Sequence, residues 1–180
     1  MKLKFKMLTV SLFSALILVA CDGENANEES NAEIKETDNI KELVLNYSER
    51  TLDAKSASIS SERLIVTEND GQEVIYELPK DEFFISIAPY INQTHPCEIH
   101  SLTSCQGELV NEQFDVSIVD SNGDVVLDET LQTQVNGFID LWLPREQTYR
   151  ITIEHEGKKA ETEFSTFKND GTCITTMQLI

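Results

Sequence analysis

The chain has 180 residues, 14 basic and 32 acidic, and a formal charge of −18 with histidine neutral. Nucleic acid and anionic lipid surfaces would repel such a chain, so both are excluded as electrostatic partners. Four cysteines and three histidines are its rarer, chemistry-bearing residues.

Lys2, Lys4 and Lys6 precede an uncharged apolar run from Met7 to Ala20. That is the pattern of a secretory signal, too short for a comfortable membrane span. Leu18-Val19-Ala20-Cys21 resembles the bacterial lipoprotein processing box, which implies cleavage before Cys21 and lipidation of its thiol. Each buried acyl methylene contributes roughly 0.8 kcal/mol, so two or three chains hold a protein on a membrane. Loss of residues 1–20 would remove three lysines and take the charge to about −21. From Asp22 to Thr37 there are six acidic residues and no aromatic. This stretch reads as a solvated tether.

Ile40, Leu43, Val44 and Tyr47 recur at helical spacing, which predicts a helix from about Asp38 to Arg50 capped by Thr37 or Asp38. Ala57 to Thr67 reads as extended, and Glu73 to Leu78 alternates apolar and polar across an Asn69-Asp70-Gly71 turn. Glu82 to Tyr90 is apolar enough for a buried strand, with Pro89 marking its exit. Strands are then expected at Phe114–Asp120, Val125–Glu129, Gly137–Leu143, Tyr149–Glu156, Ala160–Phe167 and Thr172–Leu179. Short strands at this spacing indicate a β-sandwich or small barrel. Phe138, Trp142, Tyr149, Phe164 and Phe167 are the expected large core residues.

Three cysteines are left beside the lipobox. Cys97, His100 and Cys105 lie in HPCEIHSLTSCQGEL, and Cys173 is near the C-terminus. Cys97-x-x-His100 spans about 10 Å when fully extended, so both donors can face one ion from a loop. Two readings stand here. Cysteines of an exported protein usually pair, leaving a disulfide and a spare thiol. Alternatively, three thiolates and an imidazole suit Zn(II) as a closed tetrahedron, or Cu(I), which soft sulfur ligands select.

HPCEIHSLTSCQGEL, together with DEFFISIAPYINQT, YSERTLDAKSASISSERLIVT and GTCITTMQL, resembles the CueP family of periplasmic copper-binding proteins. The resemblance runs from about Leu43 to Leu179, and the family's three cysteines fall on Cys97, Cys105 and Cys173. His100 matches a histidine of the same segment. It implies copper binding outside the cytoplasm, thiol-dependent reduction of Cu(II) to Cu(I), and supply of copper to an acceptor such as a copper–zinc superoxide dismutase. The lipobox and tether depart from the family's soluble form.

His95, two residues before Cys97, could join the site, but a solvated loop residue explains it better, and His155 reads as an exposed hairpin residue. Met177 could share a strand face with Cys173, but core packing explains it better. Asp120-Ser121-Asn122-Gly123-Asp124 fits a hairpin turn better than a calcium loop. No phosphate loop or nucleophile elbow is present.

The expected fold class is α+β, a small N-terminal helix-plus-strands region followed by a C-terminal antiparallel β-sandwich. Its divisions are a signal peptide (1–20), a lipidated Cys21 with an acidic tether (21–37), an N-terminal α+β region (38–94) and a metal-binding β-sandwich domain (95–180). The expected function is a non-enzymatic, extracytoplasmic, membrane-anchored copper protein with Cys97, His100, Cys105 and Cys173 as metal ligands and Cys21 as lipidation site. Cu(I) is the expected cargo, with Cu(II) as its precursor and zinc as the alternative metal. Expected partners are a copper acceptor, a thiol reductant and the membrane; monomer and homodimer both stay open. The competing function is thiol–disulfide exchange without a metal.

Overall fold

The computed structural model describes residues 32–180. The expected signal peptide and Cys21, with most of the tether, lie outside the described residues. Among them, no helix is long and apolar enough to cross a membrane.

One helix and twelve strands form the described chain. Helix α1 (Ile40–Ser48) buries Ile40, Val44, Tyr47 and Ser48, a spacing that puts them on one face. Its N-cap is Asn39 rather than Thr37 or Asp38, and the Asn39 amide donates to Glu42 at 2.7 Å. The first sheet holds β1 (Glu33–Lys35), β2 (Ser56–Ile59), β3 (Arg63–Thr67), β4 (Glu73–Glu77) and β6 (His100–Ser101), in the order β1-β4-β3-β2-β6. The expected extended segment Ala57–Thr67 is therefore a hairpin of two strands. The last residues of the expected tether form β1, parallel to β4.

The second sheet is β11-β10-β7-β8, made of β7 (Gln113–Asp120), β8 (Val125–Gln132), β10 (Thr148–His155) and β11 (Lys158–Ser165). Every pairing in it is antiparallel. The third holds β12 (Cys173–Ile174), β5 (Glu82–Ile87) and β9 (Ile139–Pro144), with β12 parallel to β5.

The expected α+β class with a separate C-terminal sandwich is corrected by this arrangement. A single nine-residue helix accompanies three sheets, so the fold is β-rich throughout. Strand pairing also runs across the expected division at residue 94: β5 pairs with β9, and β6 pairs with β2. The sequence reading counted local strands, whereas class depends on pairings between segments far apart in the chain.

Strand β5 explains how the pieces join. Phe83, Ile85 and Ile87 belong to one core with Phe114, Ile118, Tyr149 and Ile151. Phe84 points to the other, with Val44, Tyr47, Ile59 and Leu64. Successive side chains of a strand face opposite ways, so a strand buried on both faces must be apolar at nearly every position. On the second face Ser86 is also buried, and its hydroxyl donates to Asp140 at 2.6 Å. Ser48 of α1 donates to the other oxygen of Asp140 at 2.6 Å, which ties helix to sheet.

Three expected core aromatics are corrected in degree. Phe138 and Tyr149 are fully buried, Trp142 and Phe164 are half-buried, and Phe167 is 46% exposed because β11 ends before it. The expected last strand shrinks to Cys173–Ile174, followed by a single bridge between Tyr90 and Gln178. Met177 and Leu179 nonetheless pack into the larger core.

Candidate metal centre

The thiols come together where the sheets meet. Cys97 lies in the coil before β6, His100 opens β6, Cys105 follows a turn after it, and Cys173 opens β12. Strands β6 and β12 have two residues each, too short to be held by their ladders alone. Thr172 supplies what they lack. Its buried hydroxyl accepts from the His100 amide at 3.0 Å and donates to the Ile59 carbonyl at 2.6 Å. The Thr172 amide donates to Glu98 at 2.8 Å, and its carbonyl accepts from Ser86 at 2.9 Å. One residue therefore binds the Cys97–His100 segment, β2 and β5 to the strand that carries Cys173.

Cys105 is fixed differently. Its amide donates to Ser101 at 3.0 Å, closing the turn after β6. Gly107, two residues on, donates to Asn136 at 2.7 Å and lies directly against Gly137. A Cβ on Gly107 would collide with the Gly137 backbone, so only glycine permits this approach. The contact sets the Cys105 segment beside Phe138.

The three thiols are free and half-buried. Cys97 Sγ lies 3.6 Å from Cys105 Sγ, and Cys173 Sγ lies 3.6 Å from His100 Nδ1. A disulfide needs about 2.05 Å, so the sulfurs are neighbours without a bond. Donor atoms of Cys97, His100 and Cys173 all fall within 4.8 Å of one another, and so do those of His95, Cys97 and Cys105. The structure thus gathers all four expected ligands and adds His95.

His95 corrects a sequence reading. It is half-buried rather than solvated, its ring stands edge-on to Phe138 at 6.2 Å, and its Nε2 is shut off from solvent without a hydrogen-bond partner. His100 is wholly buried against the other side of the site, 4.5 Å from Phe138, and its Nε2 is likewise unpartnered. The only signal for His95 in the sequence was its spacing, two residues from Cys97. His155 is held elsewhere by the Gln113 carbonyl at 2.8 Å and stacks on Phe114.

The thiols share their protons unequally. Hydrogen bonds from Cys173 and then Cys97 push Cys105 far below the ordinary thiol range. Donating a hydrogen bond to the Cys105 sulfur holds the proton on Cys97 and raises it to about 11, with burial adding to the rise. Cys173 is pushed up by Cys105, by Cys97 and by burial. Negative charge therefore settles on Cys105, and the thiolate is the form that binds metal and acts as nucleophile.

A family model described as periplasmic copper-binding protein CueP matches residues 38–178. The chain belongs to the CueP family. A solved crystal structure of S.CueP is similar to it at 35% sequence identity and a TM-score of 0.73, covering 78% of this chain and 89% of that one. No curated protein matches the chain. Membership makes this a copper-binding protein of an extracytoplasmic family, and the cysteine–histidine groups are of a kind that can hold a metal ion.

Proposed function

We propose that the protein holds copper as Cu(I) on Cys97, Cys105 and Cys173 with His100 beside them, forms that Cu(I) from Cu(II), and yields it to an acceptor. The observation that carries this reading is the convergence of three unbonded thiols, from two distant segments, beside the buried His100 and the half-buried His95. Thiolate sulfur is a soft donor that favours Cu(I) over harder ions. Half-burial shields the sulfurs yet leaves them reachable by an incoming ion.

The redox step balances within the site. Two Cu(II) ions each take one electron, two thiols together give those electrons, one S–S bond forms, and two protons leave to water. Cys97 and Cys105, at 3.6 Å, are the pair best placed to close that bond. Repeated turnover, and capture of the Cu(I) by all three sulfurs, then require an external thiol reductant to restore the dithiol. Without that reductant the reduction is stoichiometric, one pair of protein thiols for two Cu(II) ions.

Mixing the reduced protein with Cu(II) under anaerobic conditions tests this. Expected is Cu(I), trapped by a chromophoric chelator, with loss of about one pair of thiols for each two ions. Undiminished thiols after copper reduction would contradict it.

Membrane anchoring through Cys21 belongs to the same proposal, because a lipid on that thiol would fix the copper site outside the cytoplasm. Cys21→Ser would then move the protein from the membrane fraction to the soluble one.

A further inference from the structure

The donor atoms around the site outnumber what one Cu(I) uses. Five side chains contribute: His95, Cys97, His100, Cys105 and Cys173. Cu(I) in a thiolate site takes roughly two or three donors. The geometry divides the five into two sets of three, His95–Cys97–Cys105 and Cys97–His100–Cys173, each with its donor atoms within 4.8 Å of one another. Cys97 is common to both. Bond lengths of about 2.0–2.3 Å place three donors in a plane roughly 3.6–4 Å apart. The two spacings of 3.6 Å, one within each set, agree with that requirement.

We propose that His95 is a copper ligand and that the site has two positions, an outer one on His95, Cys97 and Cys105 and an inner one on Cys97, His100 and Cys173. When both are filled, the Cys97 sulfur bridges two Cu(I) ions. This rests on the reading of the thiols as Cu(I) ligands and extends it in ligand set and capacity.

Three independent features support a built outer position. First, the loop that carries His95 is clamped on both sides of the sulfurs. The amides of Ile91 and Asn92 donate to the Glu108 carboxylate at 2.6 and 2.9 Å, and that of Gln93 at 3.3 Å. Glu108 stands three residues after Cys105. The Thr94 hydroxyl donates to the Thr175 carbonyl at 2.8 Å, two residues after Cys173. The segment leading to His95 is therefore anchored to the Cys105 segment and the Cys173 segment together. Pro96, with its fixed φ, passes that placement on to Cys97.

Second, the two imidazoles are treated alike. Phe138 lies against both rings, and each has an Nε2 sealed from water without a partner. A buried imidazole nitrogen left unpaired is costly. A surface loop histidine would not carry that cost. Turning a ring so that its unpartnered Nε2 faces the sulfurs would give that nitrogen an ion as partner.

Third, charge favours a second ion. Three thiolates around a single Cu(I) leave uncompensated negative charge in a half-buried place. A second Cu(I) cancels one more unit of it, where unpaired buried charge is costly. Each ion then has three donors, and the doubly used sulfur is Cys97, the one thiol that belongs to both sets.

Anaerobic titration of the fully reduced chain with Cu(I), in competition with a chromophoric chelator, tests the proposal. The wild type is expected to saturate at about two equivalents, and His95→Ala at about one. His100→Ala should also fall to about one, and Cys97→Ser should weaken both steps at least tenfold. A variant that fails to fold is bypassed by X-ray absorption on the loaded wild type, where a copper–copper scattering path is expected. Saturation of the wild type at one equivalent, or a His95→Ala titration identical to the wild type, overturns the two-position site while leaving the thiol reading intact. No copper uptake by any form would instead overturn the thiol reading on which the proposal rests.

Discussion

The four-stranded sheet and the sulfur-bearing junction are built on opposite principles. The sheet β11-β10-β7-β8 is regular but for one register shift between Ile118 and Val119: its eight-residue strands pair antiparallel, with apolar residues such as Val116, Ile118, Ile151 and Ile153 turned into one core. The junction has two-residue strands and coil, and it is held by individual side chains and close backbone contacts. Every free thiol among the described residues lies in the junction and none in the sheet. The comparison teaches a division of labour. Ladders and burial supply stability, while the irregular part brings chain-distant donors together at spacings that no regular strand would give.

Breaking the sheet should therefore cost stability first. Ile151→Ala empties a fully buried position in the larger core and is expected to destabilise by about 2–5 kcal/mol. Denaturant titration should show that loss, while copper capacity per folded molecule stays at the wild-type value.

Breaking the junction should do the reverse. Thr172→Val keeps the shape but leaves the His100 amide and the Ile59 carbonyl without their buried partner, a cost of about 1–3 kcal/mol. It frees Cys173 from His100, so weaker Cu(I) affinity in the folded protein should accompany a smaller stability loss than Ile151→Ala causes. Equal copper affinity in the two variants would remove the distinction.

The unequal proton sharing sharpens the comparison within the junction. Cys105 lies below the ordinary thiol range and Cys97 at about 11. As pH falls from 8 to 6, an ordinary thiol loses most of its thiolate, about tenfold per unit below its pKa. Cys105 keeps its own, so its alkylation rate should stay nearly flat over that range. Cys97 should react slowly throughout and speed up only toward pH 11. Mass mapping of iodoacetamide-treated apo protein checks the order, with Cys105 labelled first.

The sheet was the more legible region. Alternation marked β7 and β10 within a few residues, because each buries every second side chain; β8, exposed along most of its length, shows no such period. Fold class was not legible, since β5 is claimed by β9 and β12 from far along the chain. Within the site, the thiols and His100 stood out through residue type alone. The half-burial of His95 was not legible, because it comes from Phe138 and from clamps at Glu108 and Thr175, contacts that local sequence does not display. Thr172 was passed over for the same reason: a buried threonine that organises four segments looks like any strand residue.

The central claim is that the junction thiols are what hold copper. Its most direct test is the Cu(I) affinity of the reduced chain, wild type against Cys97→Ser/Cys105→Ser/Cys173→Ser, measured anaerobically by chelator competition. Loss of about a thousandfold or more is expected, since removing the thiolates removes the donors that select Cu(I). An unchanged affinity in the folded triple variant would contradict the account.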